Sequence, residues 1–331
     1  MKGLDEQRLI LALSILRIPR LRPEERLAVW DLVDDELSLS LLLPGDVEAA
    51  VGRKLNLGPW SPDFFLEAAL SDMRFLERTG SRFIQYDDPD FPEVLRETIR
   101  PPFGIFVRGG RLDPFVPGVA VVGTRMATGR GIDIAYFLGR CFSEAGLRVV
   151  SGLARGIDAS AHRGALRGST FGGESTCAVL PCGIDAVYPF SNRSIASAIL
   201  ESGGFLVSEY PPGTSIHRFR FPERNRIIAG LCRACVVVEA PAESGALITA
   251  EHALDEGRDV WVAADCLGGQ RSAGIDRLSS EGARSLHQPE DLVEDLRLGL
   301  GEDAPIGRDR PRASIKRAIA GARESGSGEE R

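Results

Sequence analysis

Four short segments hold most of the residues that could do chemistry, and each suits an anion. In Val122-Gly123-Thr124-Arg125-Met126-Ala127-Thr128-Gly129-Arg130-Gly131, glycines let the backbone approach a phosphate while Arg125 supplies a guanidinium. This is not a dinucleotide fingerprint, because Arg125 stands where Gly-x-Gly-x-x-Gly needs its second glycine, and it lacks the Gly-Lys-Ser/Thr of a Walker loop. Ser151-Gly152-Leu153-Ala154-Arg155-Gly156-Ile157-Asp158 is a second glycine-rich turn, with Asp158 placed to cap the helix that follows and His162 read as a structural hydrogen-bonder. His217 to Arg226 interleaves Arg218, Arg220, Arg224 and Arg226 with Phe219 and Phe221. Arginine on phosphate and rings on bases is a common chemistry for gripping single strands. The fourth segment, Glu239 to Thr249, is another strand-to-helix turn, presenting Ser244 and Gly245.

Taken singly, each segment could be an ordinary tight turn or a solvated basic loop. Together, at one edge of one sheet, they fit a ligand with several phosphates, a polymer rather than a single nucleotide. No Ser-His-Asp set, paired carboxylate site or metal cluster stands out. The residues therefore describe a non-catalytic binding protein with no metal and no cofactor.

The elements that must position these segments can be read from the hydrophobic pattern. Residues 4 to about 78 read as helices: Leu9, Leu13 and Leu16 recur at helical spacing, and Pro23, Pro44 and Pro62 punctuate the apolar clusters. Residues 81–86 and 103–108 read as short strands. From residue 119 onward, continuous apolar runs alternate with helical segments: Val119–Val122, Arg148–Ser151, Cys177–Leu180, Phe205–Ser208, Cys235–Glu239 and Val260–Ala263. That pattern predicts a parallel sheet covered on both faces, an α/β, doubly wound, Rossmann-like domain whose ligand site lies beyond the carboxyl ends of the strands. The expected division is a helical domain over 1–75, the α/β domain over 76–297, and a disordered Arg/Gly-rich tail over 298–331.

The chain carries a net charge of -7, which argues against a generally basic nucleic-acid binder but not against a local basic patch. Lysine occurs only at positions 2, 54 and 316, so the basic chemistry is almost all arginine, suited to bidentate phosphate contacts and to stacking. No apolar run reaches the ~18 residues of a membrane span, and the N-terminal stretch lacks a signal cleavage site, so the expected location is the cytoplasm, with no membrane partner. The six cysteines sit in apolar stretches, as reduced thiols would. The pair Cys232-x-x-Cys235 has no second pair spaced to complete a zinc site.

In order along the chain, these segments resemble the DNA-processing protein A (DprA, also called Smf) family. The matches include Val-Gly-Thr-Arg at 122–125, Ser-Gly-Leu-Ala-Arg-Gly-Ile-Asp at 151–158 with Ala161-His162, and Tyr188-Pro189. They continue through Ser208 to Gly213, Phe-Pro-Glu-Arg-Asn-Arg-Ile-Ile-Ala-Gly at 221–230, and Ser244 to Ala250. Upstream, Asp88-Pro89-Asp90-Phe91-Pro92 also fits, so the resemblance covers roughly residues 76–296. It implies an extended Rossmann fold that binds single-stranded DNA, delivers it to the RecA recombinase in transformation and recombination, and forms homodimers. By motif position, Arg125 and Arg218 would contact phosphate and Phe221 would stack on a base. Gly123, Thr124, Ser151, Gly152, Arg155, Arg224, Asn225, Arg226, Ser244, Gly245 and Thr249 complete the expected DNA-binding set.

The chain departs from the family pattern at several points. Ser175 stands where a lysine is usual, and Phe190 where a basic residue often follows Tyr-Pro. Ala263-Ala264-Asp265-Cys266 replaces the usual Val-Pro-Gly region, and no winged-helix domain is read at the C-terminal end. Two other readings compete. Similarity to lysine-decarboxylase-like (LOG) phosphoribohydrolases would use Ser244-Gly245 and Glu251, although that family's Pro-Gly-Gly-x-Gly-Thr signature is missing. A scaffold that has lost DNA binding would account for Ser175 and Phe190.

Overall fold

In a computed structural model, the described residues are 2–110, 112–113, 116–169 and 174–300. The tail expected over 298–331 lies outside them, except that the last helix runs on to Leu300. The chain forms two compact units, Met1–Arg108 with 182–186 and 207–216, and the remainder.

The first unit contains α1 (Lys2–Arg17), α2 (Pro23–Trp30), α3 (Glu36–Leu41), α4 (Pro44–Val51), α5 (Pro62–Thr79), β1 (Arg82–Gln85), α6 (Glu93–Arg96) and β2 (Gly104–Gly109). The prolines that break the apolar pattern open helices here. Pro23, Pro44 and Pro62 each begin one, where the missing N–H costs nothing. Asp35 and Ser61 cap α3 and α5, accepting from Ser38 N and Phe64 N. Leu13, Ile15 and Ile18 are fully buried. Beside them Arg17 donates through Nε to buried Asp72 at 2.8 Å and through Nη2 to the Pro212 carbonyl at 3.0 Å. β1 and β2 pair antiparallel, Phe83 opposite Phe106.

The second unit alternates strand and helix. It comprises β3 (Gly118–Val122), α7 (Gly129–Glu144), β4 (Arg148–Ser151), α8 (Ile157–Gly168), β5 (Thr176–Val179), α9 (Arg193–Glu201), β6 (Phe205–Ser208) and α10 (Arg220–Gly230). It continues with β7 (Ala234–Val237), α11 (Gly245–Asp255), β8 (Asp259–Ala263), α12 (Ala273–Ser280), β9 (Arg284–Leu286) and α13 (Pro289–Leu300). The strand order is β6-β5-β4-β3-β7-β8-β9, and β3–β4, β3–β7, β4–β5, β7–β8 and β8–β9 pair in parallel. Every residue of β3, β4, β5 and β7 is buried, which is why β3 and β7 read as unbroken apolar runs. The expected Rossmann-like architecture is therefore present. β9, only three residues long, escaped the sequence reading.

The chain proceeds outward from β3 through β4, β5 and β6, then returns to lay β7 on the other side of β3. The switch point between β3 and β7 opens a crevice at the strands' carboxyl ends, the usual ligand site of such sheets. Helices α7 and α8 pack closely: a Cβ on Gly164 would collide with the Tyr136 carbonyl oxygen. His162, on α8, is fully buried. Thr176 donates its hydroxyl to the Val149 carbonyl, so His162 Nδ1–H donates to Thr176 Oγ1, at 2.7 Å. Burial, aided by the charge of Arg224, pulls the imidazole down to about 3, so it stays neutral. All six cysteines are free and buried, and burial pushes the Cys235 thiol up to about 12.

Candidate nucleic-acid interface

The crevice is a cavity of about 470 Å³ whose walls come from the turn after β3, the turn after β4, one face of α10, and the turn after β7 with the start of α11. In the first wall, Gly123 is needed for close approach, since a Cβ there would sit 2.8 Å from Ile157 Cβ and 2.9 Å from the Glu239 carbonyl oxygen. Thr124 N donates to that same carbonyl at 2.7 Å. The carboxylate of buried Glu239 accepts from Thr128 N at 2.9 Å and from the Thr128 hydroxyl, while Thr128 Oγ1 accepts from Gly131 N and caps α7. Glu239 thus braces the turn that presents Arg125.

The turn after β4 is tied down differently from the expectation. Asp158 does not cap α8, because Gly156 holds the cap position and Asp158 lies inside the helix. Its Oδ2 instead accepts from Gly152 N at 3.1 Å and Ala154 N at 3.3 Å, occupying two amides that would otherwise face an anion. Burial pushes the Asp158 carboxyl above its ordinary value, opposed by the charge of Arg224 and by those amides. From the outside, Asn192 Nδ2 donates to the Leu153 and Ala154 carbonyls at 2.9 and 3.1 Å.

Residues 217–226, read as a loop, are helical from Arg220 onward. Helical spacing therefore decides which of its side chains reach the crevice: Phe221, Pro222, Arg224, Asn225 and Ile228 do. Arg224 is 4% exposed and spends its guanidinium inside the protein, donating Nη1 to the carbonyls of Gly152, at 2.8 Å, and Val179. Asn225 Nδ2 donates to the Gly245 carbonyl at 3.1 Å, linking α10 to the start of α11. Ser244 caps α11, its Oγ accepting from Ala246 N.

The structure brings Gly123, Thr124, Arg125, Phe221, Arg224, Asn225, Ser244, Gly245 and Thr249 together around one cavity. Gly152 and Arg155 line an adjoining cavity of about 260 Å³ that shares Arg125 and Phe221. Ser151, Arg218 and Arg226 line neither. Ser151 is fully buried and donates to the Val121 carbonyl at 2.7 Å, whereas Arg218 is exposed before α10 and Arg226 is buried. The exposed cations at the rim are Arg125 and Arg155, and Glu243 is an acidic neighbour on the far wall. Arg125 lies over the Phe221 ring at 4.8 Å, and Tyr188 meets that ring edge-on at 5.7 Å. Sequence reasoning missed the bracing roles of Glu239 and Asn192, which arise from segments distant in sequence. Glu251, which a phosphoribohydrolase reading would use, is exposed on α11 and lines neither cavity. A larger cavity of about 750 Å³ in the first unit has Asp31, Asp34, Asp35 and Glu36 in its lining against one cation, Arg8, a net acidic environment that disfavours phosphate. Among the described residues no cluster of His, Cys, Asp or Glu could hold a metal ion, and no helix is long and apolar enough to cross a membrane.

A doubly wound sheet with an arginine- and aromatic-rimmed crevice at its switch point defines a Rossmann-like binding domain. The family model of DNA recombination-mediator protein A matches residues 82–297, and the chain belongs to that family. It is 38% identical over 255 residues to Protein Smf of Synechocystis, covering 76% of this chain and 60% of that one. It is 35% identical over 268 residues to DNA processing protein DprA of Streptococcus pneumoniae, covering 80% and 89%. The chain spans only 60 to 62% of the Synechocystis and Escherichia coli Smf proteins. The X-ray structure of Streptococcus pneumoniae DprA superposes with a TM-score of 0.64 at 33% identity, covering 87% of this chain and 94% of that one. DNA processing protein A of Helicobacter pylori, whose structure concerns its single-stranded DNA binding mode, shares the fold at TM-score 0.57 and 22% identity, covering 65% and 95%.

Proposed function

We propose that the protein binds single-stranded DNA along the switch-point crevice, protects it, and helps load RecA recombinase onto it in transformation and recombination, acting in the cytoplasm as a homodimer without catalysing a reaction. One observation carries the DNA reading: the exposed Arg125 guanidinium stacked on Phe221 at the mouth of the cavity. The pair offers a charge-assisted fork for phosphate beside a ring for an unpaired base. Arg155 and Arg218 extend the phosphate contacts on the exposed surface. Ser244, Asn225 and Thr249 supply polar groups along the wall, while Ser151, Arg224 and Arg226 act from within. Unpaired bases are the distinguishing ligand, since a duplex hides the faces that Phe221 would stack on.

The test is fluorescence anisotropy with a labelled oligonucleotide, single-stranded and as a duplex of equal length. Tighter binding of the single strand supports the reading, and equal affinities remove the stacking argument. RecA filament formation on strands coated with single-strand-binding protein tests loading. Sedimentation equilibrium tests the homodimer.

A further inference from the structure

Beside the crevice lies an aromatic-arginine pair that the proposed contacts leave unused. Phe190 opens the short 3-10 helix Phe190–Asn192 and is 73% exposed, more than any other large apolar side chain among the described residues. The Arg193 guanidinium lies over its ring at 4.5 Å. With Arg193 on one face and such exposure overall, the ring offers a free face to solvent. The segment is not loose, because buried Asn192 anchors it to the turn after β4 through two hydrogen bonds. Arg155 reaches the same segment, its Nε donating to Ser191 Oγ at 3.4 Å. Tyr188 and Pro189 line the smaller cavity together with Arg125 and Phe221, and Phe190 follows them directly in the chain. Phe221, Tyr188 and Phe190, accompanied by Arg125, Arg155 and Arg193, supply the rings and cations that single-strand grooves combine.

We infer that Phe190, held by Arg193, is a second base-stacking platform that carries the single strand at least one nucleotide beyond the crevice. The inference rests on the proposed single-stranded DNA reading. It turns the missing basic residue after Tyr-Pro from a loss of affinity into a change in its kind. A cation there would add a salt-screened phosphate contact, whereas a ring adds stacking that does not release counterions.

The experiment is anisotropy on the full chain with fluorescein-labelled oligodeoxythymidines of about 4 to 20 nucleotides, across a salt series, the lengths bracketing the site sizes of single-strand grooves. Phe190→Ala is expected to weaken binding of the longer oligonucleotides about tenfold, with the slope of log affinity against log salt unchanged. The shortest oligonucleotides, which fill only the crevice, should bind as to wild type, and Phe190→Trp should retain affinity at every length. Arg193→Ala should weaken binding and also reduce the slope by about 0.7. If Phe190→Ala matches wild type at every length while Arg125→Ala is weakened, the inference falls and the single-strand reading stands. If wild type binds no oligonucleotide, both fall. A Phe190→Ala variant with unchanged DNA affinity but an altered oligomeric state in gel filtration would make the ring a contact between copies, overturning the inference.

Discussion

Replacing Arg125 by alanine removes a guanidinium that is exposed, stacks on Phe221 at 4.8 Å, and makes no hydrogen bond or ion pair among the described residues. Its donors are free for a ligand, and the turn beneath it is held by Thr124, Thr128 and Glu239 rather than by the arginine itself. The fold should therefore survive, with a melting temperature close to wild type. A charge-assisted hydrogen bond contributes about 1.5–3 kcal/mol, and each ~1.4 kcal/mol is tenfold in affinity, so single-strand binding should weaken by about ten- to a hundredfold. Loss of the cation stacked on Phe221 adds about 0.5–1 kcal/mol of ring positioning at an exposed site, which favours the upper part of that range. Phosphates carry no base identity, so the loss should be alike for all sequences. The slope of log affinity against log salt should shrink by about 0.7, the release expected for one lost contact on a single strand. Arg125→Lys keeps the charge but not the fork, so it should recover the slope and only part of the affinity. Anisotropy titrations between about 50 and 200 mM salt, a range over which such contacts change affinity strongly, measure both quantities. Wild-type affinity with a wild-type slope in Arg125→Ala would refute the reasoning and place the DNA path elsewhere.

Arg224→Ala should act through the fold, because it leaves the buried Gly152 and Val179 carbonyls without their donor and Asp158 without a nearby cation. A stability loss of about 3–5 kcal/mol in urea unfolding is expected, and a wild-type unfolding midpoint would show that the guanidinium is not structural. Gly164→Ala drives a methyl group into the Tyr136 carbonyl between α7 and α8, so the melting temperature should drop by several degrees for a cost of about 1–3 kcal/mol. His162 stays neutral in the fold down to about pH 3, whereas the unfolded imidazole takes up a proton below its usual ~6.5. Its contribution to stability is therefore lost as pH falls through that window, by about 2 kcal/mol at pH 5. His162→Asn, which keeps a donor for Thr176, should shrink the drop in melting temperature between pH 7 and pH 5 by about 4–8 °C. An unchanged drop would show that other groups carry the acid sensitivity.

Much of the fold is legible in the sequence because its signals are local. Unbroken apolar runs such as Val119–Val122 mark strands buried on both faces, and prolines at 23, 44 and 62 divide the helical region, where the structure shows that each opens a helix. The three-residue strand β9 is too short to show any period, so nothing local announces it. For the site, the glycine-rich turns and the arginine-phenylalanine segment point to the proposed phosphate-bearing ligand from residue types alone. Which of those residues face the ligand is decided elsewhere. Helical geometry from Arg220 turns Phe221 toward the cavity and sinks Arg224 into the interior, a distinction that a row of arginines cannot carry. The placement of β7 beside β3 brings Glu239 under the turn at Thr128, joining residues far apart in sequence through hydrogen bonds that exist only once the strand order is set. Composition and spacing thus determine a parallel sheet with glycine-rich turns at its strand ends. The tertiary structure alone determines which side chains are occupied holding those turns and which, like Arg125, are left with open donors, because hydrogen-bond partners are allotted by packing rather than by sequence.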